Sequence, residues 1–328
     1  MSLIWFAMIM ICLVFYVVLD GYDLGIGIAS LFERDARHRR QMLELVSQTW
    51  DGNESWLVLL GVSLWAGFPG AFGTILPHAY LPLIVMLLGL VVRGYSVEVV
   101  SQRPPAPLWE KAFGIASLVT ALAQGAAAGT LASRLVTTGG AYSGSTFGAM
   151  SWYCVLTACA VAVGYLALGY AFTKRKTDGG LRAKAGRRGI TAAAVALVLS
   201  AACLGAVNAT AARLDLGTPA RGIAFVWLLA LAVAGAVMSM VTLRPTSRLD
   251  VLPTVGLVIA TVALLLAVVV ARYPVLAPPG ITVDNTVSPG ATMEFLAVGV
   301  GLDIPLILFF NWYSHYAFRG REVASDEH

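Results

Sequence analysis

Charge is what this sequence has least of. Only 12% of its 328 residues are Asp, Glu, Lys or Arg, against about a quarter in an ordinary soluble domain. With 58% hydrophobic residues and a mean hydropathy of +0.79, the chain lacks the polar groups to cover a water-facing surface. No long polar stretch remains in which a sizeable soluble domain would fit. Histidine is also scarce. His38, His78, His315 and His328 do not pair at one depth within apolar runs, so the sequence offers no axial pair for a haem. Cys12, Cys154, Cys159 and Cys203 all lie in apolar stretches, with the spacing of neither a zinc site nor a disulfide framework; they read as packing residues.

Recognisable soluble-enzyme motifs are missing too. There is no Walker A loop, CxxCH, Rossmann glycine fingerprint or HExxH, which argues against an ATP site, attached c-type haem, dinucleotide site or zincin centre. The net charge of +4 comes from bases spread between apolar runs, which argues against nucleic acid as a partner. The first apolar run lacks a basic leader and a small-residue cleavage site, so it reads as a span rather than a removed signal peptide.

What the sequence does have is runs of about 20 apolar residues, the length that crosses about 30 Å of hydrocarbon as a helix. Nine are expected, near 3–28, 54–73, 78–97, 112–133, 151–173, 187–208, 220–242, 251–271 and 293–317. Helices are the form that satisfies its own backbone hydrogen bonds in lipid. The expected fold is an all-α integral membrane protein, and the basic 174–188 loop is the natural boundary if there are two bundles. Placing the N-terminus outside puts 18 of the 22 Lys and Arg residues at cytoplasmic ends and loops, and the C-terminus then also lies in the cytoplasm. The Pro- and Gly-rich stretch 272–292 is expected to form a cap on the outer side. Trp50, Trp56, Trp65, Trp109, Trp152, Trp227 and Trp312 mostly flank spans and read as interfacial anchors.

Ionisable groups inside spans are expensive and therefore informative. Asp20 and Asp23 lie three residues apart in span 1, near one helix face. Asp51, Asn53 and Glu54 enter span 2 from the same leaflet. Together they form a candidate proton relay. The plainer alternatives are interfacial carboxylates paired with loop bases, and a helix cap at Asp51 or Asn53. Arg93, with Glu98 five residues on, is a candidate charge partner or a snorkelling residue. Asp303 is unusual, lying within the last span just before Pro305. No residue points to a metal site or a quinone site.

These residues also carry a family resemblance. The run 20–25 (DGYDLG) followed by 50–57 (WDGNESWL) resembles subunit II of the cytochrome bd-type quinol oxidases, and the likeness extends to Gly67-Phe68-Pro69, Arg93-Gly94 with Glu98, Arg272-Tyr273-Pro274 with Pro278, and the end Trp312-Tyr313…Tyr316…Phe318-Arg319-Gly320. The resemblance is weaker in spans 4 to 8, and the residues after Arg93 depart from the more aromatic family pattern. It implies two four-helix bundles plus one peripheral helix in a single membrane domain, placed here at 1–135, 150–272 and 293–317. It implies a heterodimer with subunit I, which holds haems b and d. The complex oxidises quinol (menaquinol or ubiquinol), reduces O2 to water and draws protons from the cytoplasm of a bacterial cell. In such a heterodimer subunit II binds no haem of its own, stabilises the haem assembly and contributes a proton path through Asp20, Asp23, Asp51 and Asn53, with Glu54 beside them. Membrane lipid is the other expected contact, and room remains for a small accessory subunit. Intramembrane carboxylates equally suit a proton-coupled secondary transporter, although the paired broken helices of such folds are not evident. A purely structural assembly subunit would look the same in sequence.

Overall fold

The structure is a computed structural model that describes residues 2–47, 49–102, 106–133, 136–138, 141–145, 147–278, 280–288 and 290–317. It is an all-α membrane fold with two small hairpins. The helices are α1 (Ser2–Leu31), α2 (Ala36–Ser47), α3 (Trp50–Gly67), α4 (Pro69–His78), α5 (Tyr80–Gln102), α6 (Pro107–Thr130), α7 (Trp152–Lys176), α8 (Gly179–Ala206), α9 (Pro219–Thr242), α10 (Leu252–Arg272) and α11 (Gly290–Ala317). Among the described residues, eight helices are long and apolar enough to cross a membrane.

The ninth expected span, 54–73, is divided. α3 ends at Gly67, and Phe68 leaves the helical region with φ −133° and ψ 65° before α4 begins at Pro69. Proline lacks an N–H and disfavours helix in the residue before it. The break frees carbonyls in the last turn of α3. Ser288 satisfies two of them, its hydroxyl donating to Ala66 O at 2.6 Å and its N–H to Gly67 O at 3.0 Å. Ser288 belongs to the stretch expected as a cap. That stretch contains β3 (Val275–Ala277) paired antiparallel with β4 (Ile281–Thr282) and buries Val283. A second hairpin pairs β1 (Thr137–Thr138) with β2 (Ala141–Tyr142).

α7, α8, α9 and α10 pack in a ring, each on the next. α1, α3, α5 and α6 form the other group, with α1 against both α3 and α6, and α11 lies outside against α3. The two groups meet where α7 packs on α1 and α6. The crossing of α1 and α7 is glycine on glycine. A Cβ on Gly25 would lie 1.8 Å from Tyr165 O, and one on Gly169 would lie 2.2 Å from the Gly25 carbonyl carbon. The backbones therefore touch, as the small-residue spacing of Gly21 and Gly25 suggests. Residues 20–30 of α1 are buried without a gap, so this half of α1 is walled by protein on every side.

α2 was expected as loop. It is amphipathic, burying Met42, Leu43, Leu45 and Val46, and it packs on α1, α5, α6 and α7. Arg39 Nε donates to Glu110 at 2.7 Å and Arg40 lies 3.5 Å from the same carboxylate. Glu33, just past α1, accepts from Lys184 at 3.0 Å and lies 3.6 Å from Arg188. Burial pushes the Glu33 carboxyl up, but the Asp35 backbone N–H, Lys184 and Arg188 outweigh it and hold Glu33 below the usual glutamate range. These contacts gather the basic loops at one end of the molecule, called the basic end below.

Candidate functional site

The site forms where α1, α3 and α5 face one another. Asp20 lies about 17 Å from the basic end of α1 and about 27 Å from its other end. Arg93 of α5 is fully buried. Its Nη1 donates to Asp20 Oδ1 at 2.6 Å, and its Nη2 donates to Glu54 Oε1 at 2.5 Å. One guanidinium thus joins carboxylates from two helices, a use of its planar fork that a lysine would not reproduce. One turn along α1, Asp23 Oδ2 accepts from Asn53 Nδ2 at 2.8 Å, and the same amide group lies 2.9 Å from the Tyr22 hydroxyl. Asp20, Asp23, Asn53 and Arg93 are all buried, while the Glu54 side chain keeps 23% of its exposure.

Polar atoms continue away from the basic end. Tyr16, one turn from Asp20, accepts from Gln124 Nε2 of α6 at 2.5 Å. Several buried atoms in this neighbourhood have no protein partner: Asp20 Oδ2, Asp23 Oδ1, Asn53 Oδ1, Arg93 Nε and Gln124 Oε1. Orphaned buried polar atoms of this kind are ordinarily met by internal water. Three carboxyl groups face one guanidinium, so the cluster has acid in excess of base.

The sequence-predicted residues divide accordingly. Asp20, Asp23, Asn53, Glu54 and Arg93 come together. Asp51 stays exposed in the first turn of α3, one turn before Glu54 and on the way out of the cluster. Glu98 does not join. It is exposed and accepts a hydrogen bond from Gln102. The capping alternative for Asn53 does not hold, because the cap position is Thr49 and the Asn53 amide is spent on Asp23 and Tyr22. Trp56 is corrected from anchor to core: its indole is wholly buried and stacks on Phe15 at 4.6 Å. Asp303 lies elsewhere, exposed on α11. Tyr16, Tyr22 and Gln124 were missed. Tyr16 sits four residues before Asp20 on the same face, which was the available signal.

The two histidines whose side chains are described do not come together. His78 Nε2 is engaged by Thr130 O at 3.0 Å and Ser133 Oγ at 2.8 Å. His38 lies beside Asp35 and Lys184 at the basic end, far from His78. The side chains of His315 and His328 lie outside the described residues. Among the described residues no three His, Cys, Asp or Glu side chains gather as a metal site.

Known proteins resemble this chain throughout. The family model for cytochrome bd terminal oxidase subunit II matches residues 1–318. The cytochrome bd ubiquinol oxidase subunit 2 of Bacillus subtilis (strain 168) is 32% identical over 96 residues, covering 29% of this chain and 28% of that protein. The cytochrome bd-I ubiquinol oxidase subunit 2 of Escherichia coli (strain K12) is 30% identical over 132 residues, covering 39% of this chain and 35% of that protein. These alignments therefore span about a third of either relative. A chain of the bd oxidase structure from Geobacillus thermodenitrificans superposes with a TM-score of 0.78 at 16% identity, over 97% of both chains, which shows a shared fold.

Proposed function

The chain belongs to the cytochrome bd terminal oxidase subunit II family, and on that premise we propose that it is the haem-free second subunit of a membrane-bound quinol:O2 oxidoreductase and supplies that complex with protons. Quinol is oxidised and O2 reduced to water at haems b and d held by subunit I. This chain steadies that assembly and takes protons in at its basic end, which is the cytoplasmic side of a bacterial cell membrane. The N-terminus is then outside. The concentration of bases in the segments 34–40 and 174–188, both at that end, supports this orientation.

One observation carries the reading: Arg93 bonded to Asp20 and Glu54, with Asp23 and Asn53 beside them and exposed Asp51 at the mouth. In this reading a proton enters past Asp51 and Glu54 and is held on the buried carboxyls. Arg93 steadies whichever of them is ionised, and internal water bridges the gaps. Proton transfer through carboxyls needs groups that change protonation, and an amide does not.

The test replaces Asp20 by Asn in the complex purified with its haem-bearing partner. Oxygen consumption with quinol is expected to fall about a hundredfold, with an unchanged visible haem spectrum. Full oxygen consumption would sink the proton-path reading. Loss of the haem bands would assign Asp20 to assembly instead.

A further inference from the structure

The end of the molecule opposite the basic end holds a cavity that the acid cluster does not use. Arg182 holds Asp250 at the basic end, so α10, which starts just after Asp250, finishes at the other end with Arg272 in its last turn. Its 21 residues rise about 30 Å, one hydrocarbon thickness, which puts Arg272 at headgroup depth. There a cavity of about 240 Å³ opens between the stretch that joins α8 to α9 and the start of the β3–β4 hairpin. Arg213, Asp215, Arg272, Tyr273, Pro274 and Pro278 are among the residues that line it.

The walls of this cavity are fixed. The Ala211 N–H donates to Ala132 O at 3.0 Å, and the Asp215 N–H donates to Ala271 O at 2.9 Å. The 211–215 stretch is thereby tied to the chain just past α6 and to the last turn of α10. Ala212 and Ala271 are buried, which makes the floor apolar. The charges on the walls have no such ties. Arg213 is exposed and Arg272 half-buried, and neither makes a hydrogen bond or ion pair among the described residues. Asp215 spends Oδ1 on the Gly217 N–H at 2.9 Å and forms no ion pair with either arginine. Both arginines stand at the end that the charge bias leaves poor in bases, so orientation does not account for them.

We infer that this cavity takes the phosphate diester of a membrane phospholipid, clamped by Arg213 and Arg272, with an ammonium-bearing headgroup turned toward Asp215. A phosphate offers acceptors to two guanidinium forks at once, and such charge-assisted bonds are the strong ones. An anion alone leaves the Asp215 carboxylate facing a like charge, whereas an aminoalkyl phosphate such as phosphoethanolamine matches two cations and one carboxylate. Lipid fits better than a dissolved phosphate because the cavity stands at headgroup depth and has an apolar side. Val275, on its wall, leaves 37% of its surface bare, where the glycerol and the upper acyl chain come to lie. Because the backbone walls are already tied, binding has mainly the two arginine side chains to order.

The test uses the purified complex and two photoactivatable lipids with the reactive group beside the headgroup, one a phosphatidylethanolamine and one a phosphatidylglycerol. Both are expected to label residues 211–215 and 272–278, the ethanolamine lipid more strongly. Arg213→Gln combined with Arg272→Gln is expected to lower both labels there about tenfold, with labelling elsewhere on the chain and the thermal midpoint unchanged. Arg213→Gln alone, at an exposed position, is read if the double variant fails to assemble, and is expected to lose about threefold. Labelling that the arginine variants leave unchanged, or that a photoactivatable diacylglycerol without phosphate equals, overturns the site. Asp215→Asn, which can still accept from Gly217, is expected to erase the preference for ethanolamine, and a preference that survives overturns the headgroup assignment. If millimolar inorganic phosphate abolishes the label, the arginines hold a dissolved anion and the lipid assignment is overturned.

Discussion

Arg93 is the residue on which the acid cluster depends. Its two short contacts hold Asp20 and Glu54, and Asp20 is 1% exposed. Arg93→Met removes the cation and leaves the carboxylates facing one another. Breaking a buried pair from one side costs about 3–5 kcal/mol, and the partial exposure of Glu54 places the loss toward the lower figure. Thermal denaturation of the purified complex should show it as a lowered midpoint, and Asp20→Asn combined with Arg93→Met should recover part of it. An unchanged midpoint in the single variant would mean that water already shields the pair. Asp20, Asp23 and Arg93 were legible in sequence because lipid makes a charge inside a span conspicuous. The uncharged members were not. Tyr16 and Gln124 pass as ordinary residues in an apolar run, and only the packing of α6 on α1 brings them together. Glu98 shows the converse limit, since five residues along a helix from Arg93 did not tell which way it faces.

At the scale of elements, glycine sets the closeness of helices. α1 reaches α7 only because Gly25 and Gly169 let the two backbones meet. Gly169→Ala forces a methyl group to within 2.2 Å of the Gly25 carbonyl carbon, so the helices must part, at about 1–3 kcal/mol or more. Gly164→Ala on the same helix meets nothing within 4 Å and should be neutral, or stabilising by up to about 1 kcal/mol through helix propensity. Melting curves of the two variants separate the cases, and equal midpoints would refute close packing at this crossing. The small-residue pattern at Gly21 and Gly25 was readable, whereas its partner on α7 was hidden among many alanines. The break at Phe68 was also readable in principle from Pro69, but hydropathy averaging runs straight through it. α2 escaped because its three arginines resemble a loop, while the apolar face that makes it a helix spans only Met42 to Val46.

Across the whole molecule, the basic residues tie separate elements together. Arg39 and Arg40 fasten α2 to Glu110 of α6, Lys184 and Arg188 fasten α8 to Glu33, and Arg182 reaches Asp250 at 2.5 Å. The charge count sets an expectation of sidedness but says nothing of these ties, because pairing depends on which loops fold beside one another. The sidedness is checked with single cysteines at Gly180 and Ser145, both exposed. An impermeant maleimide on intact spheroplasts should label Ser145→Cys and spare Gly180→Cys, and inverted vesicles should reverse the pattern. The opposite labelling would turn the molecule over and move the proposed proton entrance to the other side.

The order of synthesis gives the Arg93–Asp20 pair one more consequence. Asp20 and Arg93 are 73 residues apart, and at about 5–20 residues per second the ribosome needs about 4 to 15 s to pass from one to the other. Through that interval α1 exists without the cation that later holds its carboxylate, and without the α3 amide that later holds Asp23. The first crossing made is therefore provisional. It enters the bilayer with its acids neutralised by protons, or it waits beside the insertion machinery until α5 arrives, so the same two aspartates that would later move protons first have to survive their absence of partners.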